Sequence, residues 1–194
     1  MKPFVVAINA ISGGGKTTIT RKLQEYLPNA KALYFDDRDY DSDSGIDDVR
    51  KWSEAGADVN VFNLTRLVDD IERLKKERLD FILLDYPFGY RHKQIGSYID
   101  YSIFIDTPLD IAMARRAIRE YNTETAISIF DDMKNYLERG RNIYLDGIEA
   151  GRKDADFIID GSLGINEIME AICERIIAEK GINLQKQNDK GVSE

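Results

Sequence analysis

The sequence predicts an α/β fold: a five-stranded parallel sheet with helices on both faces and a small helical lid. Three observations carry this. Short apolar runs alternate with segments of helical periodicity, the first run opens into a glycine-rich turn, and no linker or repeat divides the 194 residues. Alternating strands and helices imply parallel pairing, because a parallel connection needs a crossover and a helix supplies it. A single domain is expected over residues 1–182, followed by a polar, core-less tail at 183–194 that is expected to be disordered.

The first strand is read at 4–9, where Phe4-Val5-Val6-Ala7-Ile8 is apolar without alternation, the pattern of a strand buried on both faces. Behind it lies Ala10-Ile11-Ser12-Gly13-Gly14-Gly15-Lys16-Thr17, the relaxed form of a phosphate-binding loop with Ala10 at the first glycine position. Glycines let the backbone curl so that successive N–H groups form a nest for phosphate oxygens. The helix that follows adds its positive N-terminal end. A turn that merely reverses the chain is the plainer reading. A strand before and a helix after are the context that phosphate binding requires, and both are present. Ser12, Gly13, Gly14, Gly15, Lys16, Thr17 and Thr18 are therefore the expected contacts of a nucleoside triphosphate. Lys16 would reach its β- and γ-phosphates, and the Thr17 hydroxyl would hold Mg²⁺.

Ile19, Leu23, Tyr26 and Leu27 recur at helical spacing, and Pro28-Asn29 ends that helix. The second strand, Ala32-Leu33-Tyr34-Phe35, empties into the acidic cluster Asp36-Asp37-Arg38-Asp39-Tyr40-Asp41. A carboxylate just past a strand of an open α/β sheet faces the ligand crevice. Asp36, with Asp37 as its competitor, is accordingly a candidate substrate contact. The cluster lacks the spacing and closing Glu of a calcium loop. Residues 42–62 read as polar and irregular or partly helical, with Trp52 and a Gly56-Ala57-Asp58 turn.

Leu64, Leu67, Val68, Ile71 and Leu74 form the next amphipathic helix. Phe81-Ile82-Leu83-Leu84-Asp85 is a buried strand ending in a carboxylate, the form of the second nucleotide motif, so Asp85 joins Thr17 as a Mg²⁺ residue. Tyr90 and Arg91, in the loop that follows, are candidate acceptor contacts. His92 reads at least as well as an ordinary surface histidine as it does a substrate contact. Ser102–Ile105 is the fourth strand, and Thr107 with Pro108 reads as N-cap and first position of a helix. That helix carries Arg115, Arg116 and Arg119, of which Arg115 and Arg119 share a face. A solvated basic face is the alternative to phosphate clamping. Ala126, Phe130, Met133 and Leu137 mark a helix running toward Arg139-Gly140-Arg141, and Asp156–Gly161 is the last strand and its turn. Ile165, Ile168, Met169, Ile172, Cys173 and Ile176 form a final apolar stripe, which makes the single cysteine a packing residue.

With these motifs in place, the chain resembles the uridine kinase-like branch of the P-loop kinases, which includes nicotinamide riboside kinases. The start of the chain, with Gly15-Lys16-Thr17-Thr18, Leu23-Gln24, Leu27-Pro28-Asn29 and Asp36-Asp37, looks most like nicotinamide riboside kinase. Phe104-Ile105-Asp106-Thr107 followed by the three arginines, and Ala155-Asp156-Phe157-Ile158-Ile159, look like uridine kinase. The resemblance implies the P-loop nucleoside-triphosphate hydrolase fold. It also implies ATP- and Mg²⁺-dependent transfer of the γ-phosphoryl group to a hydroxyl, foremost the 5′-hydroxyl of a nucleoside. It places Asp36 at the catalytic base, Arg115, Arg116 and Arg119 in the lid over the phosphates, and Asp58 near the acid that binds ribose hydroxyls. Arg38-Asp39 replaces the family's aromatics, and its β-hairpin over the base is absent. Nicotinamide riboside, pantothenate or another small alcohol is the alternative acceptor, and a non-kinase ATP-binding switch is the alternative class.

A net charge of −8 argues against a nucleic-acid partner, since phosphate contacts need clustered Lys and Arg. No signal peptide or membrane-length apolar run is read, so the expected location is the cytoplasm. The expected partners are ATP and a small acceptor, with homo-oligomerisation left open.

Overall fold

Apolar side chains on both faces of the central strands require cover on both sides, and the chain supplies it with helices. The protein is described by a computed structural model at residues 2–36, 40, 49–121 and 125–191, without the side chains of 49, 50 and 182–191. In order, β1 (Phe4–Asn9), α1 (Lys16–Tyr26), β2 (Ala30–Tyr34), α2 (Val49–Glu54) and α3 (Thr65–Lys75) lead to β3 (Phe81–Asp85). Then come α4 (Lys93–Gly96), β4 (Tyr101–Asp106), α5 (Leu109–Glu120), α6 (Ala126–Asn135), α7 (Arg141–Asp154), β5 (Phe157–Asp160) and α8 (Ile165–Gly191). A 3₁₀ turn at Val59–Val61 precedes α3, and a π-helical turn at Tyr136–Gly140 joins α6 to α7.

The five strands are parallel in the order β2-β3-β1-β4-β5, with no antiparallel pair among the described residues. This is the predicted α/β architecture. Its central strand is β1, so the loop after β1 emerges between the ends of β3 and β4. Ile8 of β1 and Tyr34 of β2 both lie level with Asp85, which brings three strand ends to one edge. Ligands of open α/β sheets bind along that edge.

Strand alternation sorts the core into two layers. Phe4, Val6, Ile8 and Leu83 pack with Ile19 and Leu23 of α1 and with Ile172, Cys173 and Ile176 of α8. Val5, Ala7, Ile82 and Leu84 pack with Leu67, Ile71 and Leu74 of α3 and with Ile95 of α4. A smaller cluster sets Phe104 of β4 against Ala112 of α5 and Ile148 of α7. Each fully buried aliphatic side chain contributes about 1.5–3 kcal/mol, so α3 is held chiefly by its apolar stripe.

Some local expectations are corrected. The second strand starts at Ala30 and ends before Phe35, and α4 is a helix that the sequence did not signal. Thr107 is not an N-cap: α5 starts at Leu109 behind Pro108, and the Thr107 hydroxyl donates instead to the Gly14 carbonyl (2.8 Å). That carbonyl is buried and needs a donor, a stronger demand than a helix end that water can reach. His92 is neither a surface residue nor a ligand of either cavity described below. It is buried and caps α4, its Nδ1 accepting the Ile95 amide (3.3 Å) while Nε2 lies 3.1 Å from the Phe62 carbonyl. An accepting Nδ1 places the imidazole proton on Nε2, as a donor to Phe62. On α6 the apolar spacing marks a helix, yet Ile127 and Phe130 face solvent, as does Leu137 in the π turn. The backbone of α8 is helical over Ile165–Gly191.

A Cβ on Gly161 would lie 1.9 Å from Thr107 Oγ1, the group that holds Gly14. Gly161→Ala is therefore expected to destabilise the protein by about 1–3 kcal/mol through overpacking. Because Thr107 must move, triphosphate affinity should fall as well. Thermal unfolding and nucleotide titration of the variant check both, and an unchanged melting temperature would contradict the contact.

Candidate functional site

The loop after β1 is wedged against the start of α5. Gly13 and Gly15 adopt φ of 79° and 98°, and a Cβ on Gly13 would meet the Ala112 carbonyl at 2.1 Å. No L side chain fits there, which is the physical reason for glycine at 13. Gly14 is held from both sides, its amide donating to Ile11 (2.8 Å) and its carbonyl accepting from Thr107.

Lys16 opens α1 and is almost wholly buried. Its ammonium donates to Asp85 at the end of β3 and to Asp36 beyond β2 (3.3 Å). Asp85 is 2% exposed, whereas the Asp36 side chain is 70% exposed. Three residues expected to act together thus meet at one point: a cation held between carboxylates from neighbouring strands. Thr17 and Thr18 lie beside it on a cavity of about 830 Å³ that Asp36, Arg115 and Arg119 also line. Ser12, Gly13, Gly15 and Arg21 complete much of its wall. Three arginines and a lysine around one cavity, in a chain of net charge −8, form a local site for an anion.

The α5 arginines divide. Arg115 donates to the Gly161 carbonyl (3.4 Å), and Arg119 donates to Ser12 Oγ (3.2 Å) and to Glu120 (2.8 Å). Arg116, next in sequence and about 100° around the helix from Arg115, turns away from the cavity. It is bound to Glu120 (2.8 Å), the Tyr144 hydroxyl (3.1 Å) and Asp132 (3.5 Å), so it braces α5 against α6 and α7. The structure does not bring Arg116 to the expected triphosphate contacts.

A second cavity, about 390 Å³, lies alongside and shares Ala10, Ile11, Ser12 and Pro87 with the first. Its walls include Trp52, Phe88 and Tyr144, with Arg91 and Asp146 as its charged residues. Trp52 stacks edge-on to Phe62, whose ring lies 5.0 Å from that of Phe88. The mix of apolar walls and few polar groups is typical of a small-molecule site. Arg91 lines this cavity. Tyr90 lines neither cavity: its amide donates to Asp154 (2.6 Å) and its hydroxyl to Asp156 (2.5 Å). Burial and these carboxylates push the Tyr90 phenol far above the usual tyrosine range.

Asp58 lines neither cavity. It caps the 3₁₀ turn, its Oδ1 accepting from the Asn60 backbone and side-chain amides (2.9 and 2.8 Å), and these bonds hold its carboxyl below the ordinary value. Its carbonyl accepts from Trp52 Nε1 (2.9 Å), so it places the tryptophan of the cavity wall. Asp37 lies outside the described residues, as do Arg38 and Asp39.

Sequence reading named Trp52 without a role and missed Tyr144, Ile143 and Gly147 on α7. The α7 residues lie far along the chain from every motif, and only the packing of α7 on β4 brings them to the site. A lone tryptophan in a polar stretch was the one signal available.

No family model matches the chain. By sequence it is similar to a uridine kinase of Chlamydia pneumoniae, 24% identical over 200 residues that cover 91% of this chain and 90% of the relative. A uridine kinase of Streptococcus agalactiae is 22% identical over 182 residues, covering 81% and 87%. By fold it is similar to TT1252 from Thermus thermophilus, with a TM-score of 0.57 and 17% identity over 92% of this chain and 98% of that one. Deoxyadenosine kinase from M. mycoides with bound dCTP matches with a TM-score of 0.53 and 14% identity, over 90% of this chain and all of that one. The resemblance to uridine kinases read from the motifs, and the parallel α/β fold it implied, are both borne out.

The Lys16–Asp85 pair makes a structural prediction. Lys16→Ala leaves the buried Asp85 carboxylate without the ammonium, and breaking one side of a buried pair costs about 3–5 kcal/mol. The denaturant midpoint should drop accordingly, and adding Asp85→Asn to Lys16→Ala should recover part of the loss. A Lys16→Ala protein of unchanged stability would show that water already screens the pair.

Proposed function

We propose that this chain is an ATP-dependent small-molecule kinase that transfers the γ-phosphoryl group to a hydroxyl of a nucleoside-like acceptor, foremost the 5′-hydroxyl. One observation carries the reading: a cationic cavity at the phosphate loop adjoins an aromatic cavity, and a strand-end carboxylate, Asp36, lies beside the lysine of the first. A nucleotide-binding module needs only the cationic cavity. The names of the curated relatives support a nucleoside as acceptor.

In this reading the loop amides of 13 and 15–18 and Lys16 hold the triphosphate, which takes Lys16 out of its pairing with Asp85 and Asp36. The Asp85 oxygen released and the Thr17 hydroxyl are hard donors of the kind that Mg²⁺ takes, so the residues present fit that ion. Bound there, Mg²⁺ supplies charge neutralisation at the phosphates. Asp36 orients the acceptor hydroxyl and takes its proton as the new O–P bond forms and the bond to the ADP oxygen breaks. Arg115 and Arg119 lie where they can balance charge on the phosphoryl group in flight. Phosphoryl transfer is catalysed chiefly by positioning and electrostatics, so this set is sufficient in kind.

Asp36→Asn keeps the shape and removes the base. Acceptor-dependent ADP release should fall about 10²–10⁴-fold while ATP affinity changes little. Asp37→Asn is the companion variant, and a loss confined to it would move the base by one residue. Acceptor-independent hydrolysis across a panel of nucleosides, nicotinamide riboside, pantothenate and simple sugars would favour a nucleotide-binding switch instead.

The divided arginines give a second test. Arg119→Ala should lower turnover by roughly 10³-fold or more with little effect on melting temperature. Arg116→Ala should lower melting temperature first, because it loosens the packing of α5 on α6 and α7. Equal effects of the two on turnover would contradict the division of roles.

A further inference from the structure

Arg91 is the one cationic residue lining the aromatic cavity among the described residues. Its guanidinium is partly buried and makes no hydrogen bond or ion pair with any described residue. Its contact is the Phe88 ring, with 5.8 Å from guanidinium to centroid. Other arginines of the chain, Arg73, Arg116, Arg119 and Arg152, each reach a carboxylate at 2.8–2.9 Å. Asp154 is an acid whose charge acts on Arg91, but its carboxylate accepts the Tyr90 amide, and burial pushes its carboxyl above the ordinary value. Asp146, the other charged residue of the cavity, is exposed to solvent. The Tyr86 hydroxyl, which also feels the Arg91 charge, is buried without a hydrogen-bond partner among the described residues.

Removing a guanidinium from water without a hydrogen-bonded carboxylate is unfavourable. Keeping it in a cavity wall makes sense where a ligand brings that carboxylate. The planar fork of arginine matches a carboxylate with two parallel N–H···O bonds. Trp52, Phe88 and Tyr144 offer flat surfaces for a ring. The geometry points to an acceptor whose ring carries a carboxylate, with Arg91 as the residue that selects it. This deepens the kinase reading and rests on it for the word acceptor. Uridine is neutral, so Arg91 would separate this chain from the uridine kinases that it resembles.

The single tryptophan of the chain, Trp52, lines the same cavity and reports occupancy without turnover. Benzoate and benzamide share a shape and differ in charge, so their titrations against Trp52 fluorescence isolate the term. The wild-type protein should bind benzoate at least about tenfold more tightly, the size expected of a charge-assisted pair. Arg91→Gln should erase the difference, and Arg91→Lys should keep part of it. Equal binding by the wild type overturns the proposal, as does a preference that survives Arg91→Gln. The wild-type ratio alone decides should that variant not fold. In the second arm, ADP release is compared for uridine and its 6-carboxylate, orotidine, with orotidine expected to have the higher kcat/KM. A benzoate preference with no acceptor-dependent turnover leaves the anion site standing and defeats the kinase reading. Turnover of uridine without any charge preference does the reverse.

Discussion

The buried ion pair of Lys16 and Asp85 joins the three elements on which the site depends. Lys16 is the first residue of α1 behind the loop from β1, and Asp85 is the last of β3. Such a pair gives little net stability, because desolvation offsets its attraction. What it fixes is register: one ammonium can satisfy Asp85 and Asp36 together only with the ends of β2 and β3 flush. The same positive charge that sets this geometry is the one a triphosphate would recruit. Folding and triphosphate binding would therefore compete for a single group.

Much of the fold was legible because the strands are buried on both faces. Phe4–Ile8 and Phe81–Leu84 are apolar without a break, and a run of that kind has few alternatives once a glycine loop follows it. The phosphate loop was legible for a different reason: its geometry demands glycine, so chemistry is written into residue type. The cavity walls were not legible in this way. Trp52, Phe88 and Tyr144 are aromatic residues that belong to no motif, and only tertiary packing brings them to one cavity. Thr107 and His92 show the same limit in reverse. Thr107 looked like a helix cap and His92 like a surface or substrate residue, and each is bound to a backbone carbonyl of another segment, since an unpaired buried carbonyl costs more than a frayed helix end.

The three arginines of α5 illustrate how helical geometry sorts residues of one type. Arg115 and Arg119 share a face and reach the loop, while Arg116 lies about 100° around the helix. Its partners Glu120, Tyr144 and Asp132 come from three helices, which makes it a structural joint. Composition alone would have counted three equivalent cations.

That joint has a thermodynamic consequence. Tyr144 accepts from Arg116 with its hydroxyl and lines the aromatic cavity, while Arg115 and Arg119 of the same α5 line the cationic one. A rigid α5 drawn toward a bound anion would carry Tyr144 with it, so occupancy of one cavity would alter the free energy of filling the other. Such linkage is reciprocal by necessity. It would be measured as a change in donor Kd when the second cavity is filled, equal to the change in acceptor Kd when the donor is present.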